Sequence, residues 1–206
     1  MAHPRWFIFD LGNVLIRLDY DRILEKIEKR STSKRDRIID LLDGPGGYRD
    51  LEKGIVSFRD FHQFVCDRIG YGGDLRSFRE LWADFFSGPV EGIDEVLRRV
   101  RLQYRVAFLS NSNEVHADVI PRRFAALFEK DDVFIFSHRL RCAKPDPETY
   151  IQALELLGAR AEETLFVDDL LENVTAARNL GIQAFQFESA AALLRNLEER
   201  GLLAID

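Results

Sequence analysis

Several short apolar runs in this chain end at, or lie near, polar residues able to handle a phosphate and a cation. Asp10 follows Trp6 to Phe9, Ser110 and Asn111 follow Val106 to Leu109, Lys144 precedes a helix start, and Asp168 with Asp169 follow Thr164 to Val167. Three carboxylates, an ammonium and a hydroxyl gathered in one place are costly if left uncompensated, because buried charges need partners or a metal. A divalent cation and a phosphate group supply both. Taken singly, each residue has an ordinary reading. An Asp after a strand is a common turn former, Ser110 or Asn111 can cap the next helix, and Lys144 alone is a solvated lysine. Asp168 and Asp169 make an acidic helix start that suits the helix dipole. His116 has no partner visible in the sequence and is read as structural.

For these groups to meet, the elements that carry them must lie side by side. The runs Trp6 to Phe9, Val106 to Leu109, Val133 to Phe136, Thr164 to Val167 and Ile182 to Phe185 are predominantly apolar, as strands buried on both faces are. Helical patterns separate most of them, which predicts an α/β fold with a parallel sheet whose C-terminal strand ends converge. Asp146 with Pro147 opens one intervening helix, Gly158 closes it, and a second ends at Gly181. From Leu15 to about Gly92 the periodicity is helical with no convincing strand, as in Phe58, Phe61, Phe64, Val65 and Ile69 after a capping Ser57. The expected division is therefore a core of residues 1–14 and 93–206 and an all-helical cap of residues 15–92. Inserted after the first strand, such a cap hangs over the sheet edge where open α/β folds bind ligands.

Bulk properties narrow the function classes. A chain of 206 residues that is 46% hydrophobic can bury one sizeable core with room for an accessory part. Its net charge of -6 comes without a long Lys/Arg block, which argues against nucleic acid as a partner. No apolar run approaches a membrane span. The N-terminus has no signal-peptide pattern, so a cytoplasmic location is expected. Cys66 and Cys142 lie far apart in sequence and form no metal-type cluster, so both are expected as reduced thiols. The default oligomeric state is a monomer or weak homodimer.

Four segments then carry a resemblance: Phe-Ile-Phe-Asp-Leu-Gly-Asn-Val-Leu at residues 7–15, Phe-Leu-Ser-Asn-Ser-Asn at 108–113, Ala-Lys-Pro-Asp-Pro at 143–147 and Phe-Val-Asp-Asp-x-x-x-Asn at 166–173. Together and in this order they resemble the motifs of the haloacid dehalogenase (HAD) superfamily. In particular they are similar to small sugar-phosphate phosphatases with a helical cap and, more distantly, to the phosphatase domain of soluble epoxide hydrolases. The resemblance implies a Rossmann-like three-layer core and hydrolysis of a small phosphorylated metabolite such as a sugar phosphate. It assigns Asp10 as a nucleophile that forms an aspartyl phosphate, since a carboxylate is already ionised near neutral pH. Ser110, Asn111 and Lys144 would bind the phosphate, with Lys144 also neutralising Asp10. Mg2+ would be held by Asp10, the backbone carbonyl of Gly12 and Asp169, with Asp168 acting through water. Asn173 would support the acidic pair.

At one position the sequence departs from the superfamily. Its phosphatases usually carry a second Asp two residues after the nucleophile, which protonates the leaving group and later activates water. Here that position is Gly12, so a proton-transfer contribution of about a hundred- to ten-thousand-fold is missing from its usual place. Two other readings follow: a 2-haloacid dehalogenase-like hydrolase, or a catalytically weak phosphate-binding protein. In the cap, specificity is expected near Gly54, the Gly44 to Gly47 turn, and Arg17 or Tyr20, with Arg49 as readily a surface residue.

Overall fold

In the computed structural model, residues 4–42 and 44–204 are described. Strand β1 (Trp6–Phe9) is buried throughout, and its alternation sends Phe7 and Phe9 to one face of the sheet and Trp6 and Ile8 to the other. The chain then forms β2 (Ile16–Leu18), five helices, α1 (Tyr20–Glu28), α2 (Arg35–Leu42), α3 (Tyr48–Glu52), α4 (Phe58–Ile69) and α5 (Leu75–Ala83), and β3 (Phe86–Pro89). There follow α6 (Ile93–Arg101), β4 (Arg105–Ser110), α7 (Glu114–Arg123), β5 (Val133–Phe136), α8 (Ser137–Leu140) and α9 (Pro147–Leu157). The last elements are β6 (Thr164–Asp168), α10 (Leu171–Asn179), β7 (Gln183–Gln186) and α11 (Ala190–Glu199).

Five strands make a parallel sheet in the order β5, β4, β1, β6, β7. Residues from α6, α7 and α11, such as Val96, Val115 and Leu193, pack with Phe7 and Phe9. Residues from α9 and α10, including Tyr150 and Val174, pack with Trp6 and Ile8 on the other face. This is the three-layer α/β arrangement expected from alternating strands and helices. Ile23, Phe61 and Trp82 from the helical segment join the Phe7 and Phe9 cluster, so one apolar core runs from the sheet into those helices.

Local signals set the helix ends. The Ser57 hydroxyl accepts from Asp60 N at the start of α4, and Asp146 accepts from Glu148 N at the start of α9. Gly158 ends α9 in the left-handed conformation. Register then fixes the site: Phe9 pairs with Phe108 on one side and Val167 on the other, so Asp10 and Asp168 both lie one residue beyond the same rung.

The segment between β1 and α6 departs from the expected all-helical composition. Its ends, β2 and β3, pair antiparallel, with Ile16 opposite Pro89 and Leu18 opposite Phe86. Neither strand has a local signature, because β2 has only three residues and β3 contains Gly88 and Pro89, both depleted in strands. Their pairing is tertiary. No helix among the described residues is long and apolar enough to cross a membrane, and Cys66 and Cys142 are free thiols.

Candidate active site

Three strand ends and one loop build the site. Asp10 leaves β1 with its backbone N–H donated to Val167 O at 2.8 Å, Ser110 ends β4, and Asp168 ends β6. Lys144 lies in the loop between α8 and α9. That loop is clamped by Asn111, whose amide donates to Lys144 O at 2.8 Å and accepts from Lys144 N at 2.8 Å. The clamp aims the lysine inward. Lys144 Nζ donates to Asp10 Oδ1 at 2.8 Å, Asp168 Oδ2 at 2.6 Å and Leu109 O at 2.9 Å. An ammonium has three N–H donors, and all three are used.

Asp168 is enclosed. Its Oδ1 accepts from Leu170 N at 2.9 Å and Asn173 Nδ2 at 2.8 Å, while Oδ2 accepts from Lys144. Asp169 is partly exposed beside Asn13, whose amide reaches its Oδ2 at 3.4 Å. Carboxylate oxygens of Asp10, Asp168 and Asp169 all lie within 4.8 Å of one another.

This crowding has an electrostatic signature. Burial pushes Asp10 up to about 7, against the opposing pull of Lys144 and with the help of Asp168. Burial and the Asp168 charge also raise Asp169. The ammonium of Lys144 is disfavoured by burial but held well above the usual lysine range by its two carboxylate partners. One ammonium does not balance three carboxylates, and a divalent cation does. The donor set, hard carboxylate oxygens with a neighbouring backbone carbonyl, suits magnesium. A buried Asn173 Oδ1 without a hydrogen-bond partner adds a further acceptor at the site. The residues present therefore fit the metal.

A cavity of about 380 Å³ opens above this floor. Asp10, Gly12, Ser110, Asn111, Lys144 and Asp169 all line it, and Asp168 lies below them as the anchor of Lys144. Neither Ser110 nor Asn111 caps α7. That role belongs to Asn113, which accepts from Val115 N at 3.1 Å and His116 N at 3.2 Å. His116 lines the cavity with both ring nitrogens engaged. Its Nε2–H donates to Trp82 O at 3.2 Å and its Nδ1 accepts from Asn113 Nδ2 at 3.2 Å, so the ring is neutral, and burial pushes its pKa down to about 3.

The roof comes from the helical segment. Tyr20, Tyr48, Arg49 and Glu52 line the cavity from above. The Tyr48 hydroxyl donates to the Glu52 carboxylate and is itself hydrogen-bonded to the Asn113 side chain. Tyr20 was legible as a candidate, and Arg49 lines the cavity although much of it is exposed. The contribution of Tyr48 and Glu52 was not legible, because α3 has five residues and no useful periodicity. Ser137 was also missed. Its hydroxyl accepts from Ser112 N at 2.8 Å and donates to Glu52 O at 2.6 Å, tying the loop after β4 to the end of α3.

Known proteins are similar to this one over most of the chain. A D-ribitol-5-phosphate phosphatase of Bacteroides thetaiotaomicron is 28% identical over 190 residues, covering 89% of this chain and 92% of that protein. Flavin mononucleotide hydrolase 1 of Arabidopsis thaliana is 36% identical over 161 residues, 74% of this chain and 61% of that protein. A crystal structure of a HAD family enzyme from Bacteroides thetaiotaomicron, in complex with magnesium and inorganic phosphate, superposes with a TM-score of 0.77 at 25% identity, covering 90% of this chain and 95% of that one. The acidic strand ends, the parallel sheet and a family match over residues 4–181 give one result: the chain belongs to the haloacid dehalogenase-like hydrolases, enzymes with phosphatases among them.

Proposed function

We propose that this hydrolase is a magnesium-dependent phosphatase acting on a small phosphorylated metabolite, with a sugar phosphate as the first class to test. The observation that carries the reading is the convergence of Asp10, Asp168 and Asp169 beside one buried lysine, whose three protons go to Asp10, Asp168 and the Leu109 carbonyl. Asp10 is the nucleophile. One of its carboxylate oxygens attacks phosphorus, the bond to the leaving oxygen breaks, and water later cleaves the aspartyl phosphate.

Lys144 fixes Asp10 for attack and carries positive charge toward the phosphoryl oxygens. Ser110 orients those oxygens through its hydroxyl. Asn111 spends its side chain on the Lys144 backbone, and so contributes to phosphate binding through its own backbone N–H and through the placement of the lysine. Asp10, the Gly12 carbonyl and Asp169 would hold magnesium, which when bound neutralises charge on the transferring phosphoryl group. Asp168 contributes its charge and keeps Lys144 in place. Residues 15–92 act as a cap that excludes water and reads the rest of the substrate, over a core of residues 1–14 and 93–206, of which 1–3 and 205–206 lie outside the described residues.

The test is hydrolysis of 4-nitrophenyl phosphate with magnesium and with chelator, alongside an Asp10→Asn variant. Magnesium-dependent turnover that the variant lacks is the expected outcome. Turnover surviving Asp10→Asn sinks the nucleophile, and phosphate binding without turnover in the unaltered protein leaves the binding-module alternative. From magnesium-dependent hydrolysis a screen of phosphorylated metabolites identifies the substrate.

A further inference from the structure

A phosphoryl transfer to Asp10 leaves an oxygen that needs a proton, and position 12 has no side chain to give one. A Cβ built at Gly12 would meet Leu18 Cδ1 at 2.9 Å, so a side chain there would need Leu18 to shift. The proton must come from another group on the cavity wall, and among the described residues most are already committed. Lys144 has no spare N–H, and both His116 nitrogens are engaged. Asp10 and Asp169 serve the phosphoryl group and the metal. Desolvation and the nearby Glu52 charge hold the phenols of Tyr20 and Tyr48 well above their ordinary range, which makes them poorer proton donors than a carboxyl group. Arg49 does not ionise usefully. Glu52 remains.

Its placement is built, not incidental. The backbone carbonyl of Glu52 is held by Ser137, which also holds Ser112 two residues after Ser110, so the Glu52 backbone is tied to the loop after β4. Two residues on, Gly54 adopts φ +60°, and a Cβ there would lie 2.3 Å from His138 O. The Arg141 guanidinium donates to Gly54 O. These contacts seat the end of α3 directly against α8. The carboxyl itself is oriented by Tyr48, and Tyr48 by Asn113, the cap of α7.

We infer that the Glu52 carboxyl supplies the proton transfer that Gly12 cannot, an inference that rests on the phosphatase reading above. As Asp10 forms its bond to phosphorus and the ester P–O bond breaks, Glu52 gives its proton to the departing oxygen, releasing an alcohol and leaving a carboxylate. Water then attacks the aspartyl phosphate and gives one proton back to Glu52. Inorganic phosphate departs and the Asp10 carboxylate is restored. The surroundings favour a group that can do both. Burial pushes Glu52 up to about 7, against Tyr48, Lys144 and Arg49, which favour its charged form, and with Asp10, which opposes it.

The experiment compares the unaltered enzyme with Glu52→Gln on 4-nitrophenyl phosphate, whose leaving group is weakly basic, and on phenyl phosphate, whose leaving group is more basic and needs a proton. The expected result is a kcat/KM loss of about a hundredfold or more on phenyl phosphate and less than about tenfold on 4-nitrophenyl phosphate. Because the base for the second step is also gone, the variant should release nitrophenolate in a burst of one equivalent followed by slow turnover. Equal losses on the two esters mark a structural role and overturn the inference, as does no loss on either. A magnesium-dependent thermal shift equal to that of the unaltered enzyme establishes that Glu52→Gln is folded. If the unaltered enzyme with magnesium hydrolyses neither ester, the phosphatase reading falls and takes this inference with it. If both are hydrolysed and Glu52→Gln is equal to the unaltered enzyme, only the inference falls.

Discussion

Lys144 is the residue on which the site's charge balance turns. Replacing it with Met leaves Asp10 and Asp168 buried with no cation between them. Removing one partner from a buried charge cluster costs about 3–5 kcal/mol, so Lys144→Met should unfold at a markedly lower urea concentration and lose turnover. Pairing it with Asp168→Asn should recover part of the stability and none of the activity. His116 gives a prediction of a different kind, because it is held neutral. With its pKa lowered from 6.5 to about 3, the unfolded chain takes up a proton between pH 6.5 and pH 3 that the folded protein refuses. Its contribution is complete above pH 6.5 and is lost as the pH falls, by about 2 kcal/mol at pH 5. Asp10 and Glu52, raised to about 7, act in the opposite sense, keeping protons in the folded state and losing their contribution as pH rises through 7. The check is therefore the stability difference between the unaltered protein and His116→Gln at pH 7 and pH 5, which isolates the histidine. Residues such as Asp10 and Asp168 were legible because each ends an apolar run that announces a buried strand. Glu52 was not, since only the docking of a short helix brings it to the cavity.

At the scale of elements, the seat of α3 on α8 is the contact most exposed to test. Gly54→Ala puts a methyl group against the His138 carbonyl oxygen, a backbone atom that cannot turn aside, in a backbone conformation that disfavours L side chains. The expected cost is about 1–2 kcal/mol from the left-handed conformation alone, with a larger effect on kcat/KM than on stability as the end of α3 lifts from Ser137. Steady-state kinetics beside urea unfolding measures the two effects separately. The core strands, by contrast, were readable almost to the residue, because burial leaves a predominantly apolar run, unbroken in β1 and β5 and interrupted by Gln183 at the β7 edge. Strands β2 and β3 were not. Their pairing is set by where the sheet and the helices hold the chain, and Gly88 and Pro89 carry the opposite local preference.

Across the whole molecule, the apolar cluster that joins the Phe7 and Phe9 face of the sheet to Phe61 and Trp82 makes a single unfolding transition the expected behaviour. Magnesium should raise that transition. At a free concentration 100 times its dissociation constant, a ligand that binds only the folded state adds about 2.7 kcal/mol. Asp169→Asn should keep the metal-free transition and lose most of the magnesium shift, as read by calorimetry in magnesium and in chelator. The paired strands β2 and β3 carry one more consequence. Because Leu18 lies opposite Phe86, the chain enters and leaves the helical segment at adjacent points. Everything between those points is spliced in like a cassette. A helical segment from a relative can be grafted at the same seam without shifting the rung that aligns Asp10 with Asp168, provided that it covers the apolar surface that Ile23, Phe61 and Trp82 share with the sheet. Because Glu52 lies inside that segment, exchanging it would replace both the roof of the cavity and the proton-transfer group inferred above, leaving the floor of Asp10 and Lys144 in place.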